Sequence, residues 1–459
     1  MRFARYKIFS MRRWFAGALV LAVPCLADAA PSVQEILLRA KPGVALVVSE
    51  VAAEVTVTCP TGGRQRVKPA PFRETGTGWF INPNGWVVTN GHVVSPARQP
   101  RQSIERELLE RGVREACGEL SEEALAAALA RANAKLDPSI SVLLSNGLRL
   151  SATVAKYSPP VAGEGMSGRD LALLKLEAAD MPALRLGDSS NTKIGDKIHI
   201  LGFPGVVLSH ELLNASAKVE ASVTNGAISG FKQDIANQVV IQVDAPAAWG
   251  NSGGPAVGSS GEVLGVLTFV SLDADNRGAI VQGFNFVIPS AAIREFVKNT
   301  DVKLDEVSRF NAAWYAGLDA FFDGSYARAE KHFAEANRLL PDLTDVRRMM
   351  VEVKNPPPRP FPWMRIGALA AALVVAAVAA LLVRRVRRNR YRIRPSEVMR
   401  LIEASPDTPP LILDVRDGTT YAKSPVKIQA ARHLSPEELE RGTRALDIDA
   451  NRTVVAYCS

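Results

Sequence analysis

Histidine is scarce in this 459-residue chain, with five residues, and cysteine scarcer still, with four. Five histidines leave few candidates for a general base. Cys25 falls in an apolar N-terminal run and Cys458 is next to last, so Cys59 and Cys117 either pair with each other or stay free. Charge-free apolar runs are also few. Apart from the N-terminal one, 366–383 stands out, eighteen residues that at ~1.5 Å per residue are about long enough to cross a bilayer core. The basic excess of +8 is concentrated rather than spread: Arg384, Arg385, Arg387, Arg388, Arg390, Arg392 and Arg394 occupy one eleven-residue stretch after that run. That placement fits a membrane flank, and no nucleic-acid partner is expected.

The N-terminus has the three parts of a secretory signal. Arg2, Arg5, Lys7, Arg12 and Arg13 come first, an apolar run over 14–26 follows, and Ala27 and Ala29 are the small residues of a cleavage site. An uncleaved anchor is the alternative. The arginines after 366–383 place the C-terminal side in the cytoplasm, which leaves the region before the span exported. Cys59 and Cys117 then lie where disulfides persist, and Cys458 where thiols stay reduced. These features together imply a single-pass bacterial inner-membrane protein.

Between residues 44 and 293 the sequence reads as short β-branched segments separated by Gly, Pro and Asn, such as "ALVVSEV", "GWVVTNG" and "GEVLGVLTFV". Many short strands with turn signals between them predict a sandwich or barrel. The exception is 102–136, rich in Glu, Ala, Leu and Arg, with Ser121 a candidate N-cap; it predicts an inserted helical hairpin. From 306 to 345 the pattern is helical again. Gly317, Gly324, Tyr326, Ala329, Phe333, Ala336 and Pro341 recur at the spacing of a tetratricopeptide unit, although an ordinary helical hairpin reads the same way. One such unit cannot bury its own apolar face, so it must pack on a neighbour or a protein partner. "NPPPRPFP" over 355–362 predicts a stiff extended linker.

The chemistry is concentrated in "WGNSGGPAVG", where Ser252 stands among glycines. Glycines around one hydroxyl bring backbone close to something or expose the hydroxyl on a strained turn. His92 ends the strand-like "WVVTNGH", and Asp170 opens the apolar strand "LALLKL". Each residue alone has an ordinary explanation: a satisfied polar side chain, a partner for Arg169, a surface turn. Together, in the order His, Asp, Ser, they supply a general base, an orienter of that base and a nucleophile.

The motifs "GTGWFINPNGWVVTNGHVV", "RDLALLKL", "VTNGAISG" and "GNSGGP" closely resemble the HtrA/Deg branch of trypsin-like serine proteases, over about residues 44 to 297. The resemblance implies two perpendicular six-stranded β-barrels with the site in the cleft between them. It implies His92 as general base, Asp170 as the residue holding its imidazole, and Ser252 as nucleophile. The N–H groups of Gly250 and Ser252 would form the oxyanion hole, and Gly253 and Gly254 would keep side chains away from substrate. Three differences stand out. The gap of 78 positions between His92 and Asp170 holds the inserted helices, which the resemblance places on the leaving-group side of the cleft. No PDZ domain is evident in the roughly 65 residues before the apolar run. Trp249 lies close to the specificity pocket, where its bulk would limit depth.

Beyond the span, "PLILDVRDGTTY" and "NRTVVAYCS" resemble a rhodanese domain, with Asp414, Val415 and Arg416 matching an early strand motif and Cys458 in the place of the active-site thiol. That thiol would be activated by surrounding N–H groups. The sequence ends one residue after Cys458, before any cradling loop, so the expectation is either a fragment of a longer sequence or an inactive domain, and a buried strand cysteine is the other reading.

The expected architecture is therefore mainly β: a trypsin-like double β-barrel with an inserted helical hairpin, then an α-helical hairpin, one transmembrane helix and a truncated α/β rhodanese-like segment. Its expected parts are a signal peptide (1–29), protease domain (30–300), tetratricopeptide-like hairpin (306–345), Pro-rich linker (355–362), transmembrane helix (364–383) and rhodanese-like segment (395–459). The expected function is a membrane-anchored periplasmic serine endopeptidase acting on unfolded or misfolded envelope proteins, with no metal or organic cofactor. Its partners would be polypeptide substrates, the inner membrane and a protein docked on the helical hairpin; homo-oligomers are left open. The competing functions are a non-proteolytic scaffold binding envelope proteins and a sulfurtransferase.

Overall fold

The computed structural model describes residues 31–60, 62–160, 168–273, 279–356, 363–440 and 452–458. The signal-peptide reading, with Cys25, lies outside them, as does most of the Pro-rich linker. The chain divides into two units, 29–359 and a second one that holds everything from 360 onward together with 1–28.

In the larger unit a capped helix α1 (Val33–Ala40), with Ser32 Oγ accepting from the Glu35 amide, leads into the first barrel. Its strands are β1 (Val44–Thr58), β2 (Arg64–Val67), β3 (Phe72–Asn82), β4 (Trp86–Thr89), β5 (Asn133–Leu143), β6 (Arg149–Ser158) and β7 (Leu171–Leu176). They run in the order β2-β1-β3-β4-β7-β6-β5, and pairing of β5 back onto β1 closes six of them into a ring. Helix α2 (Gly91–Arg98) leaves β4, and the insertion supplies α3 (Gln102–Cys117) and α4 (Glu122–Arg131). Residues 133–136, helical by local composition, instead begin β5, from Asn133 opposite Thr56 to Leu136 opposite Ala53. Pairing with a long neighbour strand outweighs a four-residue helical preference.

The outer half of β1 shows why the insertion stays folded. Val51, Ala53, Val55 and Val57 alternate with more exposed residues, and their inward face packs on Ile104, Leu108 and Val113 of α3 and Ala128 of α4. A Cβ on Gly112 would come within 2.7 Å of Val55, so the helix can approach the strand this closely only with glycine there. Cys59, just past β1, is disulfide-bonded to Cys117 at the end of α3, with Cα atoms 5.5 Å apart.

The second barrel contains β8 (Lys197–Gly202), β9 (Ser222–Gln233), β10 (Val239–Val243), β11 (Pro255–Gly258), β12 (Val263–Asp273) and β13 (Ala279–Pro289), closed in the order β10-β13-β12-β11-β8-β9. Two single-turn helices, α5 (Gly205–Leu208) and α6 (Ala215–Lys218), interrupt the β8–β9 connection, and α7 (Ser290–Val297) follows β13. Ile198, Ile200, Ile228, Ile241, Leu267 and Val287 fill this barrel. Between the barrels, Trp79, Val88 and Leu173 of the first pack with Leu201, Phe203, Val266 and Ile288 of the second.

Helices α8 (Arg309–Phe322), α9 (Tyr326–Leu339) and α10 (Thr344–Glu352) continue the first barrel's core. Phe310, Trp314, Leu318 and Phe333 belong to one buried cluster with Phe80, Val87 and Leu174. A Cβ on Gly317 would meet the Phe333 ring at 2.5 Å, so glycine lets the two helices close. Polar contacts fix the docking: Trp314 Nε1 donates to the Leu38 carbonyl at 2.8 Å, Arg309 pairs with Asp180, and Asn146 Nδ2 donates to the Pro341 carbonyl at 2.7 Å. The neighbour that covers the hairpin's apolar face is thus the first barrel.

In the second unit, α11 (Trp363–Asn389) contains the one candidate span among the described residues, Ile366–Asn389, with a mean hydropathy of 2.8 and no buried residue in its apolar window. The helix runs on through Arg384, Arg385, Arg387 and Arg388, arginine being a good helix former. Beyond it, β14 (Leu411–Asp414) pairs in parallel with β15 (Arg432–His433) and β16 (Val454–Tyr457), alongside α12 (Pro395–Ala404), α13 (Gly418–Lys423) and α14 (Pro436–Glu440).

Candidate active site

His92 is the second residue of α2, directly after β4. Its position depends on Gly91, where a Cβ would sit 2.4 Å from the Ser158 carbonyl oxygen. Asp170 holds the histidine twice. Oδ1 accepts from the His92 backbone amide at 2.9 Å, and Oδ2 lies 2.8 Å from Nδ1. An ionised carboxylate can only accept, so Nδ1 carries the proton and Nε2 is left as the basic nitrogen.

Asp170 is itself fixed from several sides. Its amide donates to the Pro159 carbonyl at 2.9 Å, its carbonyl accepts from Asn90 Nδ2 at 2.8 Å, and Oδ2 accepts from Thr268 Oγ1 at 2.6 Å. Its φ of 50° is left-handed, a conformation that aspartate tolerates better than most residues and that costs of order 1 kcal/mol or more. Burial works against the charged imidazolium of His92. The hydrogen bond and charge of Asp170, with the charge of Glu74, outweigh it, and the His92 pKa is raised above its ordinary value.

Ser252 sits between the barrels. Its carbonyl accepts from the Thr77 amide at 2.8 Å, and its Oγ lies 3.3 Å from the Thr268 carbonyl oxygen. Among the described residues no hydrogen bond joins Ser252 Oγ to His92, yet both side chains line one cavity of about 720 Å³ with Asp170, Thr268 and Trp249. Trp249 is 63% exposed, so it flanks the opening rather than plugging it.

The glycines around Ser252 have a different reason from the one the sequence suggests. A Cβ on Gly253 (φ +87°) would lie 2.0 Å from the Thr77 carbonyl oxygen, and one on Gly254 2.3 Å from that of Leu201. They make room for the protein's own backbone. Gly250 (φ +97°) is similarly pressed against the Phe203 carbonyl. Trp249 O accepts from the Gly205 amide at 2.6 Å, and a trans peptide then turns the Gly250 N–H the opposite way. Among the described residues, neither the Gly250 nor the Ser252 N–H donates to a protein acceptor.

Residues 76–266 match the trypsin-like peptidase domain. The chain is 27% identical over 245 residues to "Serine protease HTRA4" of Homo sapiens, covering 53% of this chain and 38% of that protein. It is 29% identical over 231 residues to "Probable periplasmic serine endoprotease DegP-like" of Chlamydia pneumoniae, covering 49% and 34%. A shorter stretch of 159 residues is 33% identical to "Serine protease HTR4" of Bos taurus, covering 34% and 28%. The chain spans between 28% and 38% of the length of these relatives. Thr268, Thr77 and Asn90 escaped the sequence reading. A signal existed for Thr268, a lone polar residue inside the apolar "VLTFV", because a buried hydroxyl needs a partner.

The second unit has its own polar cluster. Asp414 is buried and accepts from Arg416 Nε at 2.8 Å and from Tyr457 Oη at 2.6 Å. These bonds, that from Arg416 foremost, hold its carboxyl well below the usual carboxylate range. Cys458 is a free, exposed thiol after β16, so the reading as a buried strand cysteine does not hold. No group of metal-ligating side chains occurs among the described residues.

Proposed function

We propose that the barrel unit is a serine endopeptidase in which Ser252, His92 and Asp170 act as a triad. The observation that carries this reading is the pair of bonds that Asp170 accepts from His92, with Thr268 completing the carboxylate, on a cavity that Ser252 shares. Ser252 Oγ would attack the scissile carbonyl while Nε2 of His92 takes its proton. The Gly250 and Ser252 N–H groups would receive the developing oxyanion, and Asp170 would stabilise the imidazolium. His92 then returns the proton to the leaving amine, and a water repeats the sequence to release the acyl group. Formation of the attacking bond requires Ser252 Oγ to turn from the Thr268 carbonyl toward His92.

The cavity favours extended apolar segments, because Ile235, Val239, Trp249, Phe286 and Ile288 line it. Folded proteins seldom expose such segments, so unfolded or misfolded envelope proteins are the proposed substrates. The signal-like N-terminus and the uncovered apolar helix α11 support a membrane-anchored enzyme with its barrels in the periplasm and residues 384–459 in the cytoplasm. The parallel strands and the exposed Cys458 support a rhodanese-like portion there, and α8 with α9 a tetratricopeptide-like unit.

The test is hydrolysis of unfolded casein by the full chain in detergent beside its Ser252→Ala variant. A functional triad predicts a loss of about 10⁶ in turnover, the magnitude seen when a triad serine is removed. Equal rates for parent and variant would overturn the proposal. A scaffold reading draws on one observation, the Ser252 Oγ directed at Thr268 rather than His92. It predicts casein binding without turnover in both proteins.

A further inference from the structure

We infer that Glu74 is a specificity-determining residue that receives a basic side chain on the leaving-group side of the scissile bond. This rests on the endopeptidase reading above and adds to it a preference that the triad alone does not supply.

Strand β3 pairs with β1 in unbroken register from Val51 opposite Phe72 to Val44 opposite Trp79. Side chains therefore alternate regularly, and Glu74 shares a face with Gly76. That face is the one turned to the catalytic residues: a Cβ on Gly76 would meet Val93 of α2 at 2.5 Å and the Ser252 carbonyl oxygen at 3.1 Å. Directly opposite Glu74 in the register, Ser49 uses its Oγ to accept from the Ala97 amide of α2 at 3.0 Å. Glu74 thus lies along α2, one strand step beyond the nucleophile loop. The electrostatics agree: burial pushes the Glu74 carboxyl up, while the charges of His92 and Arg101 act in the other direction.

Arg101 and His92 act on Glu74 only through their charge, and neither forms an ion pair with it. Arg73, on the opposite face, pairs with Glu50, and Arg98 lies over the Tyr157 ring. Among the described residues no hydrogen bond or ion pair reaches the half-buried Glu74 carboxylate, and such a group gains most from an added opposite charge. The substrate path supplies one. The apolar cavity lies against the second barrel and does not include Glu74, so it suits the acyl half of the substrate. His92 must protonate the departing amine, which carries the other half past His92 toward β3 and α2. A lysine or arginine just after the scissile bond would then meet Glu74.

The test uses the full chain in detergent at about pH 8 and three octapeptides with the same apolar first half, followed by Lys-Lys, Gln-Gln or Glu-Glu. The expected kcat/KM for the Lys peptide exceeds that for the Gln peptide by roughly fivefold, the upper range for a partly exposed ion pair. Glu74→Gln should bring that ratio close to one, and Glu74→Lys should favour the Glu peptide. A wild-type ratio of one, or a ratio unchanged in Glu74→Gln, overturns the inference. The same peptides, fluorescently labelled, are also bound to the Ser252→Ala variant and measured by anisotropy. Absence of cleavage by the parent would refute the endopeptidase reading, while the order of affinities in this arm still decides the role of Glu74.

Discussion

Thr268→Val separates the carboxylate's support from the proposed triad itself. Threonine and valine have nearly the same shape, so the substitution removes one hydroxyl and leaves β12 in place. The lost bond is the 2.6 Å donation from Oγ1 to Oδ2 of Asp170, a carboxylate only 6% exposed. Hydrogen bonds to charged groups contribute about 1.5–3 kcal/mol, so unfolding in urea should show a destabilisation of that size. Asp170 keeps both bonds to His92, and the Thr268 carbonyl near Ser252 is unchanged. The carboxylate loses a competing donor, so its negative charge acts more strongly on the imidazolium. The His92 pKa, already raised, should rise further, and the acid limb of kcat/KM on a peptide substrate should move to higher pH. A carboxylate anchored at one fewer point should hold His92 less firmly and lower the plateau by roughly tenfold or more, about 1.4 kcal/mol in the barrier. If stability, plateau and acid limb all match the parent, the carboxylate does not depend on Thr268 and this account of the site is wrong.

Replacing Cys59 and Cys117 with serine opens a loop of 58 residues, worth about 4 kcal/mol in the chain-entropy model, and limited proteolysis should then cut the α3–α4 insertion faster than in the parent. Phe333→Ala should cost about 3–5 kcal/mol, and calorimetry should show the α8–α9 hairpin and first barrel still melting together, because Phe333 shares their core. Because the folded pKa of His92 is raised, its contribution to stability is complete below the unfolded value of about 6.5 and is lost as pH rises through the folded value. Urea midpoints of the parent and His92→Gln, compared across that window, should converge as pH rises.

The strands were legible from their β-branched segments and the turns between them, which point only to a sandwich or barrel; the double barrel was legible by resemblance. His92 and Asp170 were legible by resemblance, each at the edge of an apolar strand, and the two lie together in the structure. Other features rest on contacts between segments far apart in sequence. The ring closed by β5 on β1 turned 133–136 into strand, and nothing local to those residues signals it. Gly253 and Gly254 stand in a motif, yet the Thr77 and Leu201 carbonyls that demand them lie elsewhere in the chain. The hairpin at 306–345 showed its apolar stripe plainly, but only the fold shows that the first barrel covers it.

Thr77 gives the site an unusual dependence. Its hydroxyl donates to the Gly250 carbonyl at 2.7 Å and accepts from the Phe203 amide at 3.0 Å, while its own amide holds the Ser252 carbonyl. One residue of the first barrel thus sets the loop that presents Ser252 from the second. Each barrel is closed on its own hydrogen bonds and could keep its shape if the two parted slightly, but the loop around Ser252 could not keep its alignment. Activity would therefore behave as a mechanical fuse, failing under stress that pries the halves apart well before either half melts.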